Sequence, residues 1–358
     1  MRFDRDRRLQ DLFGITVPII QAPMAGAAFS EMVVAVSEAG GLGSLACAML
    51  TAPQIREEVA LIRERTSRPI NLNFFCHQPP VSDSERAASW KRCLEPYYRE
   101  MEIDLSAAVP PANRAAFDSA GCEIIEEVTP EVVSFHFGLP DEALVARVKS
   151  TGCRIISSAT SVREARWLEE HGCDAIIAQG YEAGGHRGMF LETEVATQVG
   201  TMALVPQIVD AVKVPVIAAG GIGDARGIVA ALVLGASGVQ LGTAYLFCPE
   251  AKIPPVHRDK LRNARESETA LTNVFTGRPA RSILNRLIRE LGPIAPEAPE
   301  FPLASDAVMP LRQAALARNS ADFVPLWSGQ GAPLGLEIPA GELTKRLTAS
   351  AAELVARS

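Results

Sequence analysis

The chain lacks any excess of positive charge. Its 358 residues carry 35 Lys plus Arg against 42 Asp plus Glu, a formal net charge of −7. Proteins that track a phosphate backbone need a basic stripe, and none is present, so nucleic acid is not an expected partner. Paired cysteines are lacking as well. Cys47, Cys76, Cys93, Cys122, Cys153, Cys173 and Cys248 are scattered, with no CxxC pair and no Cys/His spacing of a metal site. No metal is expected, and the pattern fits a reducing compartment. Long apolar runs are missing too. The start "MRFDRDRRLQDLFG" holds no apolar signal core, and no later run approaches the roughly 18 unbroken apolar residues of a membrane span. The expectation is therefore a soluble, cytoplasmic protein with no membrane partner. Internal repeats and low-complexity tracts are absent.

What is present is an apolar chain, 47% hydrophobic and 22% charged, long enough to bury a large α/β core. Short β-rich runs alternate with helical patterns. The runs are "VPIIQAP" (17–23), "LGSLAC" (42–47), "INLNFF" (70–75), "VVSFHFG" (132–138), "CRIISSA" (153–159), "DAIIAQG" (174–180), "VPVIAAGG" (214–221) and "GVQLGT" (238–243). Most are continuously apolar, as parallel strands covered on both faces are. Between them lie helices such as "SEMVVAVSEAG", which Ser30 is placed to cap and Gly40 to end, and "TAPQIREEVALIRER", with Pro53 in the first turn. Eight such strands separated by helices predict an α/β fold of the (β/α)8 TIM-barrel type, with a doubly wound sheet as the alternative.

Two stretches break the rhythm. Residues 77–130 contain the helical "SERAASWKRCLEPYYREMEI" and exceed a normal βα connection. Residues 249–320 are rich in proline. The division predicted is a barrel over 1–248 with a helical insertion at about 77–130, a cap or substrate-binding segment over 249–320, and a C-terminal segment, 321–358, that packs back on the barrel.

Barrel active sites lie at the C-terminal ends of the strands, and here those ends are polar or glycine-rich. "GGIGDARG" opens a helix after the seventh strand, so Gly220, Gly221 and Gly223 let backbone N–H groups approach an anion at the helix's positive end. "QLGT" follows the eighth strand, where Gly242 and Thr243 add donors. Two neighbouring donor loops at this place predict a phosphate site. Asn73 and Gln179 end the third and sixth strands with carboxamides. Each alone reads equally as a structural hydrogen-bond partner, but beside a phosphate site they point to a phosphorylated planar cofactor.

His186 follows Gly184 and Gly185 in "AQGYEAGGHRG". Its chemistry suits a general base or an anion-orienting donor, and it also suits a turn histidine that bonds a carbonyl. Local features leave both readings open. His136 and His77 are candidates for the pocket wall. His171 is explained by its helix C-terminus, and His257, in a proline-rich loop, carries no signal. Cys76 beside His77 makes no nucleophile pair, because adjacent strand residues face opposite sides. For Glu182 and Arg187 the expected role is an ordinary loop salt bridge.

In order and spacing, "PIIQAPMAG", "NLNFFCH", "SFHFGLP" and "AQGYEAGGHRG" resemble the four motifs of class I nitronate monooxygenases, also known as 2-nitropropane dioxygenases. The resemblance spans roughly residues 15–245, with a weaker echo at "LWSGQGAPL" (326–334). It implies a barrel with non-covalent FMN. The phosphate would rest on Gly221, Gln240, Leu241, Gly242 and Thr243. Asn73, Gln179 and Gly184 would contact the rest of the cofactor, Met24 would approach the isoalloxazine, and His186 would be the active-site histidine. The implied reaction oxidises an alkyl nitronate, for example propionate 3-nitronate, with O₂ to a carbonyl compound and nitrite, through one-electron transfer and a flavin semiquinone. His186 would hydrogen-bond the nitro oxygens or abstract the α-proton of a neutral nitroalkane. The expected assembly is a monomer or homodimer.

One departure concerns "EFPLASDAVMPLR". Phe301, Ser305 and Met309 stand where many members of the family carry two tyrosines and a lysine, which favours a bulkier or less charged nitronate. Two rival functions are weighed. An FMN-dependent enoyl-thioester reductase using NAD(P)H is similar around "EAGGH", but "NLNFFCH" and "SFHFGLP" suit the nitronate class better. A flavin-free phosphate-binding isomerase or lyase would share the glycine loops and be colourless.

Overall fold

A computed structural model describes residues 6–104 and 114–357. Eight strands build the central sheet: β1 Ile19–Gln21, β2 Gly43–Ala46, β3 Ile70–Phe75, β4 Val132–His136, β5 Arg154–Ala159, β6 Ala175–Gln179, β8 Val216–Ala219 and β9 Gly238–Leu241. A two-residue strand, β7 Gly185–His186, lies outside it, and β10 Thr269–Thr272 with β11 Ala280–Ile283 completes a small separate sheet. The central strands run parallel in the order β1-β9-β8-β6-β5-β4-β3-β2. A parallel bridge between Ile20 and Leu42 brings the two edges together, so the sheet is a barrel. The fold is a TIM barrel, and its strands occupy the eight runs that the sequence marks.

Alternation along each strand sorts the side chains into two sets. Leu72, Phe74, Val133, Phe135, Ile176, Ala178, Val239 and Leu241 join the outer core between sheet and helices. Ile20, Leu42, Val132, Ile156, Ile177 and Ile217 fill the barrel's interior, plugged from below by Leu9 and Phe13 of the N-terminal helix Arg8–Phe13. Above this plug the interior turns polar. Asn71 Nδ2 donates to Ser44 Oγ at 3.0 Å and Ser134 Oγ at 2.9 Å, and Asn73 Nδ2 donates to Ser134 Oγ at 2.9 Å. These bonds satisfy the buried amide nitrogens of Asn71 and Asn73, as most buried polar groups are satisfied.

Among the described residues, the wrapping helices are Ser30–Glu38, Ala52–Arg63, Ser119–Val128, Glu142–Ser150, Val162–Glu170, Thr201–Ala211, Ala225–Val233 and Ala340–Arg357. Thr51 precedes the second of these, and its N–H is accepted by Gln54 Oε1 at 2.9 Å, with Pro53 in the first turn as expected. Ser30 is not the cap of its helix. Phe29 takes that position, and the Ser30 N–H is satisfied by the Glu58 carboxylate at 2.7 Å. The sequence around Ser30 gives no sign of that distant acceptor.

The interruption at 77–130 divides. Ser84–Glu100 leaves the barrel, and its Trp90, Leu94, Tyr97 and Tyr98 pack with Val274, Leu287, Val308 and Phe323 in a second core. Ser119–Val128, by contrast, is the barrel helix between β3 and β4, with Cys122, Ile124 and Ile125 in the main core. The second core also unites the helix Pro255–Arg262, the hairpin β10–β11 and the helices Arg286–Leu291 and Ala304–Ala317. This lobe stands over the C-terminal ends of the strands. The chain returns through 321–339 to the helix Ala340–Arg357, whose Leu343, Leu347 and Ala351 complete the ring of barrel helices.

Candidate active site

The cavity at the mouth of the barrel is lined by the inward-facing ends of the strands. Asn73, His136, Ser158, Gln179 and Gln240 come from β3, β4, β5, β6 and β9, joined by Met24 and by the loops Gly184–His186, Gly220–Ile222 and Gly242–Ala244. The lobe closes the other side with Ile253, His257, Arg312, Val324 and Trp327.

The loop after β6 is fixed from within. Gln179 Oε1 accepts the Gly188 N–H at 2.7 Å, and its Nε2 donates to the His186 carbonyl at 3.0 Å. Arg187, fully buried, donates to the carbonyls of Gly180 at 2.7 Å and Gln179 at 2.8 Å, and to Gln198 Oε1 at 2.9 Å. The expected Glu182–Arg187 salt bridge is therefore replaced by two separate anchors. The Glu182 carboxylate accepts instead from the Thr201 N–H at 2.9 Å and hydroxyl at 2.8 Å, where it caps the helix Thr201–Ala211. Gly184 must be a glycine because a Cβ there would lie 2.4 Å from the Gly329 nitrogen. The 326–334 segment is thereby drawn into the site, where Trp327, Gly329 and Gly331 line the wall.

With the loop so held, β7 pairs with β11, and His186 sits opposite Ala280. Its Nε2 lies 2.9 Å from Thr276 Oγ1, whose own hydroxyl donates to the Arg278 carbonyl at 3.4 Å. In the tautomer that this chain of donors favours, Nε2 carries the proton and Nδ1, which has no hydrogen-bond partner among the described residues, keeps the lone pair. Around the ring stand Phe301 at 5.3 Å, Trp327 at 5.4 Å, Phe137 at 5.9 Å and Phe75 at 6.2 Å. Burial in this apolar shell, then the charges of Arg114 and Arg278 and the neighbouring histidines, hold its pKa well below the ordinary imidazole value. These causes favour the neutral imidazole.

The other histidines divide differently from the expectation. His136 lines the cavity but is used up structurally, its Nδ1 at 3.1 Å from Ser158 Oγ and its Nε2 at 3.1 Å from the His186 carbonyl. His77 stands apart, edge-on to Phe301 at 4.8 Å, in a second cavity with Phe137, Trp167 and Arg278. His257 has a place the sequence did not signal: it is buried in the cavity wall and held at 3.1 Å from the Trp327 carbonyl.

The glycine loops are also rearranged. Asp224 caps its own helix by accepting the N–H groups of Arg226 at 2.9 Å and Gly227 at 3.3 Å, so that helix N-terminus is already occupied. Gly223 packs against Leu334 and Gly331, outside the cavity wall. The backbone that faces the cavity is that of Gly220, Gly221 and Gly242. Leu241 points into the outer core, as its place between the inward Gln240 and Gly242 dictates. Thr243 Oγ1 accepts the Gly329 N–H at 2.9 Å. Gln240 Oε1 is buried without any partner among the described residues.

A family model described as nitronate monooxygenase matches residues 6–350. The chain belongs to the nitronate monooxygenase family. It is similar to the nitronate monooxygenase of Pseudomonas aeruginosa, with 42% identity over 95% of this chain and 97% of that protein. To the nitronate monooxygenase of Paraburkholderia phytofirmans it is 40% identical over 95% and 94%. Among solved structures, a nitroalkane oxidase from Streptomyces ansochromogenes superposes with a TM-score of 0.89 at 38% identity, covering 98% of this chain and 100% of that one. As a nitronate monooxygenase family member the chain is an enzyme, a flavin-dependent oxidoreductase.

Within that family setting the lobe supplies features the motifs do not. Arg114 and Arg312 both line the cavity, and among the described residues no Asp or Glu does. Phe301 takes part in the aromatic shell of His186, and Ser305 turns its hydroxyl to the Pro302 carbonyl at 2.6 Å. No helix among the described residues is long and apolar enough to cross a membrane. No group of three or more His, Cys, Asp or Glu among them is arranged to hold a metal.

Proposed function

We propose that this cavity holds FMN non-covalently and that the enzyme oxidises alkyl nitronates with O₂ to a carbonyl compound and nitrite. The observation that carries the reading is the pairing of His186, whose Nδ1 has no hydrogen-bond partner among the described residues, with a mouth that has arginines but no carboxylate among those residues, which favours an anion next to a base. The residues present fit the cofactor. Gln240 Oε1 is an orphaned acceptor at a strand end, ready for a hydroxyl donor, and Gly184, Gly221 and Gly242 keep the backbone bare of side chains. In this reading Gly221 and Gln240–Thr243 hold the phosphate through backbone donors, with Leu241 contributing only its main chain. Asn73, Gln179, Gly184 and Met24 border the ring system.

FMN, when bound, supplies the one-electron chemistry that connects a nitronate to O₂. His186 does the rest of the local work. Its Nδ1 accepts the α-proton when a neutral nitroalkane is bound, while Thr276 fixes the tautomer through Nε2. With a nitronate, the proton is already absent and the ring serves to orient. Phe75, Phe137, Phe301 and Trp327 exclude water from that proton transfer. His136 and Gln179 hold the His186 backbone in place from opposite sides.

The test is an absorption spectrum of the purified protein, reconstituted with FMN if needed, followed by nitrite release from propionate 3-nitronate without nicotinamide. Flavin absorbance and nitrite are the expected results. A protein that takes up no flavin, or that instead oxidises NADH on addition of an enoyl thioester, overturns the reading.

A further inference from the structure

Arg114 and Arg312 are two cations that meet no carboxylate among the described residues lining the cavity. Arg114 precedes the helix Ser119–Val128, Arg312 lies on the helix Ala304–Ala317, and both side chains line the wall that contains His186. Neither makes an ion pair within 4 Å among the described residues. The undescribed segment 105–113, "LSAAVPPAN", contains no acidic residue that could pair with them. Arg114 Nη1 is buried with no hydrogen-bond partner among the described residues. Its guanidinium carbon lies 5.8 Å from the centre of the Phe301 ring, which in turn stands 5.3 Å from His186. Burial and the repulsion from Arg312 both weaken the charged form of Arg114, with the carboxylate of Asp306 acting in the opposite sense. A buried guanidinium left with an empty donor is costly unless a ligand fills it. Planar, bidentate donors of this kind match a carboxylate.

We propose that Arg114 and Arg312 form an anion subsite that holds a carboxylate on the substrate, at the end away from the carbon that reacts near His186. They are then specificity-determining residues. The subsite rests on the nitronate reading and reverses the expectation drawn from Phe301, Ser305 and Met309: the lobe has lost polar groups at those positions but carries two arginines from elsewhere.

The experiment compares the FMN-loaded wild type with R114M and R312M on two probes, propionate 3-nitronate, which carries a carboxylate, and propyl 1-nitronate, which does not. Each variant is expected to lower kcat/KM for the carboxylated probe by roughly tenfold more than for the other, chiefly through KM. In the wild type, added salt should raise KM for the carboxylated probe more steeply. Equal losses on the two probes overturn the subsite. Should either variant fail to fold, the other variant and the salt series decide. Isothermal titration with 3-nitropropionate separates the two levels of the argument. If the wild type releases no nitrite from either probe yet binds this ligand roughly tenfold tighter than both variants, the nitronate reading fails and the subsite stands. Binding that is equal in all three proteins overturns the subsite.

Discussion

At the scale of single residues, the site depends on which nitrogen of His186 is free. Thr276 takes Nε2, and the aromatic shell and nearby cations keep the ring neutral. H186N therefore removes the base without removing bulk. Turnover of neutral nitroalkanes should fall by roughly 10²-fold or more, and turnover of preformed nitronates by much less, since general-base catalysis is needed only by the former. A nitrite assay on matched nitroalkane and nitronate solutions checks this. Because the pKa of His186 is depressed, the wild-type kcat/KM on nitroalkanes should stay level from pH 8 down through 6.5 and drop only below that value. Gln240 offers a second case. Its Oε1 is buried and unpaired, so Q240L should raise the thermal stability of the flavin-free protein and at the same time weaken FMN binding by roughly tenfold. Calorimetry of the apoprotein and a fluorescence titration with FMN measure the two effects. Equal or improved flavin affinity in Q240L would remove Gln240 from the cofactor site.

At the scale of elements, the barrel strands were legible because each is covered on both faces and so is written as an apolar run. The polar residues that interrupt the runs, Asn73, His136, Gln179 and Gln240, fall on the inward side near the strand ends, so strand alternation brings them to the cavity wall. The lobe was not. β7 has two residues, and β10 Thr269–Thr272 and β11 Ala280–Ile283 mix polar with apolar residues, so no continuous apolar run marks them as it marks the equally short β8. His257, Arg114 and Arg312 reach the cavity from this part of the chain or its neighbouring loops, where no local pattern announces burial. The C-terminal segment was expected to pack back on the barrel, but that its last helix closes the ring of barrel helices was hidden for a different reason. Ala340–Arg357 follows β9 only after the whole lobe has been inserted, so the alternation of strand and helix is broken just where it should close. Leu343, Leu347, Ala351 and Val355 nonetheless form its buried stripe, and Thr344 Oγ1 meets Tyr245 Oη at 2.8 Å. L347A should destabilise the protein by about 2–5 kcal/mol, the usual cost of a large-to-small change in a packed core. Denaturant midpoints of wild type and variant would show it. A change within experimental error would mean that the helix is not part of the barrel's cooperative unit.

At the scale of the whole molecule, the charge distribution opposes the net charge. The chain is acidic overall at −7, but among the described residues its central cavity is lined by Arg114, Arg312, His136, His186 and His257 and by no carboxylate. Such an interior resists protonation, and this gives stability a pH dependence whose sign can be worked out. Burial pushes the pKa of both His136 and His257 down to about 4 from an ordinary value of 6.5. Between those values the unfolded chain takes up protons that the folded chain refuses, so stability is full above pH 6.5 and is lost as pH falls towards 4. Each histidine contributes a slope of about 1.4 kcal/mol per pH unit within that window. The carboxylates with lowered pKa start from ordinary values of 3.8 for Asp6 and Asp224 and 4.5 for glutamates such as Glu31 and Glu290, and act mainly below those values, so the histidines dominate the interval from pH 6.5 to 5. Urea unfolding of the wild type at steps across this interval should give steadily falling stability. H257Q keeps a polar side chain beside the Trp327 carbonyl but cannot titrate, and it should flatten the slope by one histidine's share. A wild-type stability that is constant from pH 6.5 to 5 would show that these imidazoles accept protons in place, and the cavity would then be far better hydrated than its lining implies.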